Sequence, residues 1–239
     1  MNYYNQPSQG YYPDAMAVDN KVSAVMKKVY VKMFLALLVS AAAAYLGAIA
    51  GEGVLAYALA TNSWIYWGLG ILELLLVFFI SARIGKMSPA MSSGLFYLFA
   101  IVNGLTLSII FLVFSFASIF KTFLITAGVF GAMSVYGYFT NRDLTKIGSF
   151  LFMALIGLII CSVVNIFWAN STFEWIISGA GVLIFIGLTA WDTQKIKSLA
   201  AANMGFPDSS LATMGALNLY LDFINLFLYL LRFFGSSRD

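Results

Sequence analysis

Seven long apolar stretches, joined by short polar connections, set the pattern of hydrophobic and polar positions along the chain. They cover residues 30–50, 64–84, 91–114, 118–139, 147–168, 174–193 and 211–233. A helix of about 20 apolar residues crosses the hydrocarbon core of a bilayer. Strands of a membrane barrel would be about half that length and would alternate apolar with polar residues, and none of these stretches alternates. The pattern therefore predicts seven transmembrane helices and no strands.

The composition agrees with a membrane environment. Of the 239 residues, 62% are hydrophobic and 10% are charged, whereas soluble domains carry roughly 25% charged residues. So much apolar surface requires lipid as its solvent. We predict an all-α, polytopic membrane protein in contact with the lipid bilayer.

The polar ends of the chain predict where this domain begins and ends. Residues 1–20 are rich in Tyr, Asn, Gln and Pro without apolar periodicity, which predicts a disordered polar tail. The transmembrane domain is expected over 21–234, followed by a short C-terminal tail over 235–239. The connection after the sixth stretch, over 194–210, is longer than the others.

The basic residues predict the orientation, because Lys and Arg concentrate on the cytoplasmic side of membrane proteins. With the N-terminus in the cytoplasm, that side holds most of them: Lys21, Lys27, Lys28, Lys32, Arg83, Lys86, Arg142, Lys146, Lys195 and Lys197. The opposite side holds Lys121, Arg232 and Arg238. Seven crossings then place the C-terminus outside.

The residue inventory limits the available chemistry. There are no histidines, and Cys161 is the single cysteine, so catalytic histidines and an intrachain disulfide are excluded. The net charge of +3 gives no reason to expect a nucleic-acid partner. We expect no enzyme activity and no tightly bound cofactor.

The seventh apolar stretch carries an acid in its middle. Asn218, Asp222, Asn225, Tyr229 and Arg232 follow one another at spacings of four and three residues, so they fall within about 80° of one another on a helix. Such a stripe faces other helices or a wet cavity, since an ionised carboxylate in lipid is costly. The Asn and Tyr residues then line a pore or form a hydrogen-bonded seam between helices.

A second acid, Asp192, stands at the cytoplasmic end of the sixth stretch, in "LTAWDTQKIK". The sixth and seventh helices are consecutive and antiparallel, so Asp192 and Asp222 meet if the sixth helix extends or tilts. Two carboxylates in contact share a proton or bind a cation. Their oxygens suit a hard cation such as Ca²⁺. The pair thus predicts a proton-sensing and Ca²⁺-binding site.

Three further polar residues are candidates. Glu73 lies near the middle of the second stretch and is expected to face the interior, while Arg83 ends that stretch. Arg83 either anchors the helix at the membrane surface or acts as a counter-ion to the Asp192/Asp222 pair. Asn103, in "IVNGLTLSII", is expected at a close contact between helices.

The segments "IVNGLTLSIIF", "LIFIGLTAWDTQKIK" and "GALNLYLDFINLFLYLLR" together resemble the Bax inhibitor family, also called the transmembrane Bax inhibitor motif family, in its bacterial form. The resemblance implies six helices around a central seventh, a pH-sensing pair of aspartates and a Ca²⁺ leak. Asp192 and Asp222 match the aspartates, and Arg83 and Glu73 match an arginine and an acid of the second helix. A bacterial inner membrane is then expected.

Two other functions remain open. Some bacterial members are associated with a membrane-bound AAA protease, so the chain could instead be a regulator without transport activity. An intramembrane aspartyl protease is disfavoured, because its "GxGD" motif is missing around "TAWDT" and "LYLDF". The leading prediction is a pH-sensitive Ca²⁺ leak channel that moves Ca²⁺ and H⁺.

Overall fold

The computed structural model describes residues 15–49, 54–202 and 207–236, and these ranges form nine α-helices without a strand. The helices are α1 (Ala15–Ile49), α2 (Val54–Thr61), α3 (Ser63–Arg83), α4 (Pro89–Leu107), α5 (Ile110–Val113), α6 (Phe116–Phe139), α7 (Thr145–Trp168), α8 (Ser171–Ala201) and α9 (Asp208–Phe234). Seven segments within the described ranges are long and apolar enough to cross a membrane. The predicted all-α fold with seven spans is confirmed.

Polar side chains define where several of these helices begin. The hydroxyl of Ser88 accepts a hydrogen bond from the backbone N–H of Met91 at the start of α4, where Pro89 takes the first helical position. Asn170 does the same for the N–H of Phe173 at the start of α8. These caps satisfy backbone donors that have no partner within the helix, and they make the turns between spans short.

The first helix begins earlier than the sequence predicted. Residues 15–20 are helical and belong to α1, so the predicted disordered tail over 1–20 is wrong for this part; residues 1–14 lie outside the described part of the chain. The reason is packing, because Val22, Val25 and Val29 share one buried face of the helix ahead of the apolar stretch. Of the predicted C-terminal tail, residues 237–239 also lie outside the described residues.

The sixth span is longer than its apolar stretch. Helix α8 continues to Ala201, eight residues past the predicted end at 193, and Ile196 and Ala200 in this extension are buried. The connection to α9 is correspondingly short. Hydropathy predicts only the part of a helix that lies in the hydrocarbon core, whereas the helix itself continues as long as its inner face packs against other helices. Asp192 therefore lies well inside a helix rather than at its end.

Helix α9 is the most buried span. Its most apolar window is 61% buried, against 39% or less in each of the other candidate spans. It packs extensively against α1, α4, α6 and α8, while α7 packs mainly on the outer face of α8. The acid in α9 is thus placed where several spans converge.

Candidate functional site

The structure brings Asp192 of α8 and Asp222 of α9 into contact. Both side chains are buried, with 9% of Asp192 and 4% of Asp222 exposed, and their carboxyl groups lie within hydrogen-bonding reach of each other. Asp192 lies within α8 and Asp222 near the middle of α9, and these two helices pack against each other extensively. The two residues that sequence reasoning selected therefore lie next to each other in the fold.

The contact requires a proton. An ionised carboxylate accepts hydrogen bonds but cannot donate one, so a hydrogen bond between two carboxyl groups needs a proton on one of them. Without it, two negative charges would touch in a region with little water to screen them. Among the described residues, Oδ2 of Asp222 is buried without a hydrogen-bond partner. That oxygen is free to accept a bond from water or to bind a cation.

A chain of hydroxyls holds α8 next to the pair. Ser134 of α6 is 3.1 Å from the hydroxyl of Thr193, which follows Asp192, and 2.5 Å from the hydroxyl of Tyr30 in α1. Thr193 in turn donates to the backbone carbonyl of Thr189. The position of Asp192 is thus tied to α1 and α6 as well as to α9.

Lys195 is the cation that acts on Asp192, whereas Arg83 contacts an aromatic ring on its own helix. Lys195 lies one turn after Asp192 on α8 and attracts its carboxylate, with its ammonium 4.7 Å from the centre of the Trp191 ring. Arg83 is exposed and lies 5.9 Å from the centre of the Phe79 ring. No ion pair found among the described residues joins it to either aspartate. The counter-ion role predicted for Arg83 is not supported, and its placement fits a membrane-surface anchor.

Glu73 belongs to a separate polar cluster. Its two carboxylate oxygens accept hydrogen bonds from the side chains of Asn103 (2.9 Å) and Thr106 (2.6 Å), both on α4. The amide oxygen of Asn103 accepts from the hydroxyl of Tyr220 (2.8 Å), which also lies 2.6 Å from the hydroxyl of Ser40. Glu73 faces the protein interior as predicted, but it joins α1, α3, α4 and α9 rather than the aspartate pair.

The remaining residues of the polar stripe run along α9 towards its C-terminal end. Asn218 and Asn225 are half-buried, and the Asn225 amide donates to the carbonyl of Leu221. Tyr229 stacks on Phe185 of α8 with ring centres 5.9 Å apart. The stripe thus lies on the less buried face of α9, with Arg232 exposed, and of its five members only Asp222 is buried in the interior. The spacing predicted an inward-facing stripe, and the structure places only Asp222 there.

The stripe ends at a cavity of about 360 Å³ between the ends of α7, α8 and α9. Ser162, Asn165, Glu174 and Arg232 supply its polar lining. Within it, Arg232 pairs with Glu174 at 3.7 Å, and Ser162 hydrogen-bonds with Tyr229. The C-terminal end of the stripe is therefore open to a polar space.

Two residues of the interior were missed by sequence reasoning. Tyr220 is fully buried and points away from Asp222, because residues two apart lie on opposite faces of a helix. Lys32 donates hydrogen bonds of 2.6 Å to Ser93 and to Thr213, linking α1, α4 and α9. The sequence analysis used Lys32 only to predict the orientation. Its position two residues inside the apolar stretch indicates that its ammonium needs hydrogen-bond partners within the bundle.

The oxygen atoms of the pair supply only part of the coordination shell that a Ca²⁺ ion needs. Ca²⁺ takes six to eight oxygen ligands, and the two carboxylates supply at most four. The described residues contain no group of three or more Asp, Glu, Cys or His side chains in a position to hold a metal ion. A Ca²⁺ ion at the pair would therefore keep much of its coordination as water, backbone carbonyls or hydroxyls, which suits an ion in passage.

Comparisons with known proteins show the family of this chain. A family model described as "Inhibitor of apoptosis-promoting Bax1" matches residues 22–239. The chain is 46% identical over 216 residues to the inner membrane protein YbhL of Escherichia coli (strain K12), covering 89% of this chain and 92% of that protein. It is 44% identical over 222 residues to the protein RP147 of Rickettsia prowazekii (strain Madrid E), covering 92% and 93%.

The similarity extends to Gram-positive bacteria. The membrane protein SpyM3_0260 of Streptococcus pyogenes serotype M3 is 42% identical over 179 residues, which cover 75% of this chain and 78% of that protein. The family model covers nearly the whole transmembrane domain, including both aspartates. The chain is an integral membrane protein that belongs to the Bax inhibitor family.

Proposed function

We propose that this protein is a pH-sensitive leak channel for Ca²⁺, in which the Asp192/Asp222 pair takes up protons or Ca²⁺ and gates the pore. The observation that carries the proposal is the contact between two buried carboxyl groups on neighbouring spans. Intramembrane acids are costly and tend to mark ion or proton pathways. A pair that must hold a proton to stay together is a site at which pH sets the conformation.

Protons and Ca²⁺ compete for the same oxygens. With one proton, the pair is held together by a hydrogen bond and α8 stays against α9, which is the closed arrangement. Loss of that proton leaves two negative charges that repel each other or attract a cation. Lys195, the neighbouring cation, is exposed and is not buried beside the pair. The energy of gating thus comes from the pair itself.

The polar stripe of α9 supports a route to the pair from one side. Asn225 and Tyr229 lead from Asp222 to the cavity lined by Glu174 and Arg232. Amide and hydroxyl oxygens along such a path replace part of the water that a cation gives up on leaving solution. We place this end of α9 outside the cell and the N-terminus in the cytoplasm, on the distribution of Lys and Arg. The name of the relative YbhL supports a bacterial inner membrane.

The test is Ca²⁺ flux into proteoliposomes as a function of pH. Wild type is compared with Asp192→Asn, Asp222→Asn and the double variant, because Asn keeps the shape of Asp but carries no titrating proton. The control is Asp143→Asn in the exposed loop between α6 and α7. Hydrogen bonds from Thr145 hold the pKa of Asp143 below its usual range, so this carboxyl stays ionised at neutral pH.

We expect a pH-dependent flux in wild type and in Asp143→Asn, and a small, pH-independent flux in the double variant. Equal flux and equal pH dependence in the double variant would remove the pair from the mechanism. Liposomes without any flux, together with a membrane-bound AAA protease that co-purifies with wild type and with the double variant, would favour the non-transporting regulator instead.

A further inference from the structure

A long groove runs along the membrane face of the protein between α1 and α6. Both helices pack against α9, yet their described residues make no extensive contact with each other. The space between them has a volume of about 670 Å³. Its walls are mainly apolar, with Met33, Phe34 and Val135 among the lining residues and Phe223 of α9 as its floor.

The groove continues towards the other membrane surface. A narrower cavity of about 100 Å³ begins where the first one ends, and the two share Leu37, Phe123 and Phe223. Along α1 the combined lining extends from Ser23 to Ala44. This distance is about 30 Å at 1.5 Å per residue, which is the thickness of the hydrocarbon core. The two cavities together therefore extend over about the thickness of the hydrocarbon core.

The wider end of the groove is basic. Lys27 lines it together with Ser23 and Tyr138, and no Asp or Glu is among the lining residues. A second cation lies at the same rim, because the ammonium of Lys197 donates to the carbonyl of Tyr138 at 2.8 Å and lies 4.9 Å from the centre of its ring. An occupant of this groove thus meets positive charge and hydroxyls at one end and mainly apolar walls further along, where Tyr30 and Ser134 hydrogen-bond with each other.

We propose that the groove is a binding site for one anionic phospholipid, with its phosphate at Lys27 and one acyl chain lying along the apolar walls to Phe223. The charge at the rim complements the phosphate, and basic residues at a membrane surface attract anionic lipids. The narrower cavity has a volume of only about 100 Å³, which suits part of an acyl chain and is too small for a helix with its side chains. An acyl chain also restores the dispersion contacts that an empty apolar groove lacks.

Two glycines of α6 allow a sharp test. Gly131 lines the groove, and a Cβ built on it meets no neighbouring atom within 4 Å. Gly131→Leu therefore fills the groove without a clash against the backbone. Gly128 lies one turn earlier on the same helix, also faces open space and is not part of the lining. Gly128→Leu is the matched control for added bulk.

The measurement is native mass spectrometry of the full chain in detergent, with added phosphatidylglycerol or phosphatidylcholine. Wild type and Gly128→Leu are expected to retain one phosphatidylglycerol and less phosphatidylcholine. Gly131→Leu is expected to retain phosphatidylglycerol about tenfold less, which corresponds to the loss of one large contact. Lys27→Ala is expected to lower phosphatidylglycerol retention about fivefold and to leave phosphatidylcholine unchanged. Lys28→Ala, whose side chain does not line the groove, is expected to match wild type.

Several results would overturn the proposal. Equal losses for Gly131→Leu and Gly128→Leu would show that the groove is not the binding site. Equal retention of the two lipids by wild type, or displacement of phosphatidylglycerol by inorganic phosphate alone, would exclude recognition of an anionic lipid. A change in oligomeric state for Gly131→Leu, with unchanged lipid retention, would assign the groove to a second copy of the chain. Lipid retention is measured without ion flux, so the result is independent of the channel proposal.

Discussion

Gly137 of α6 lies directly against the backbone carbonyl of Ala190 in α8, with no room for a Cβ between the two helices. On another side of α8, Gly148 of α7 lies equally close to the ring of Trp191. Asp192 follows Ala190 and Trp191 in the chain. Two close contacts at glycines thus fix the part of α8 that presents Asp192 to α9.

The variant Gly137→Ala is expected to destabilise the protein by about 2 kcal/mol, because a methyl group forced into a packed contact displaces the helices. The matched control is Gly128→Ala on the same helix, where the added methyl meets open space. That control is expected to be neutral or slightly stabilising, since Ala favours helix over Gly. Thermal unfolding in detergent, followed by circular dichroism, measures both. Equal melting temperatures for the two variants would contradict the close contact.

The flux of wild-type protein is expected to rise with pH, with a transition between about pH 6 and 8, because two carboxyl groups in contact share a proton and its loss leaves two negative charges side by side. Below the transition the pair keeps its proton and the closed contact. Above it, two negative charges repel and the contact opens. Flux measured at fixed free Ca²⁺ over this range checks the sign. A flux that falls or stays constant as pH rises would contradict the proposed closed state.

The variant Tyr220→Phe tests the Glu73 cluster. It leaves the amide oxygen of Asn103 without the 2.8 Å hydrogen bond from Tyr220. We expect a loss of about 1 kcal/mol, since hydrogen bonds between membrane helices contribute about this much. The pH dependence of flux should remain, because the cluster is separate from the aspartate pair. Tyr136→Phe, at a tyrosine that is 45% exposed, serves as control and should match wild type in melting temperature.

The variant Arg232→Gln tests whether the cavity at the C-terminal end of α9 lies on the ion path. The Arg232–Glu174 pair is about half exposed at 3.7 Å, so its loss should cost less than about 1 kcal/mol of stability. The Ca²⁺ flux should nevertheless rise, because a positive charge is removed from the entrance and Glu174 remains. Lys121→Gln neutralises another exposed cation on the same predicted side. Equal changes in flux for both variants would indicate a general charge effect and not an entrance at Arg232.

Much of the fold was determined by the sequence itself. The lengths of the apolar stretches are enough to predict seven spans, because crossing a bilayer imposes a minimum length and composition on each helix. The spacing of Asn218, Asp222, Asn225 and Tyr229 likewise predicts an inward-facing stripe, since helical periodicity depends on local geometry alone. The buried position of Asp222 agrees with this prediction.

Tertiary packing decided the rest. Hydropathy could not place the end of α8, because Ile196 and Ala200 extend the helix by packing against neighbours and not by their affinity for lipid. The packing of α8 on α9 brings Asp192 to Asp222, and no local pattern in either helix shows that contact. The spacing of three residues on one helix already places Lys195 beside Asp192, whereas the sequence left open whether Arg83 anchors its helix or pairs with the aspartates. In the fold, Arg83 is exposed and lies against the Phe79 ring. The sequence determined which residues needed a polar neighbour, and the tertiary structure decided which neighbour each one has, because such contacts join residues far apart in the chain.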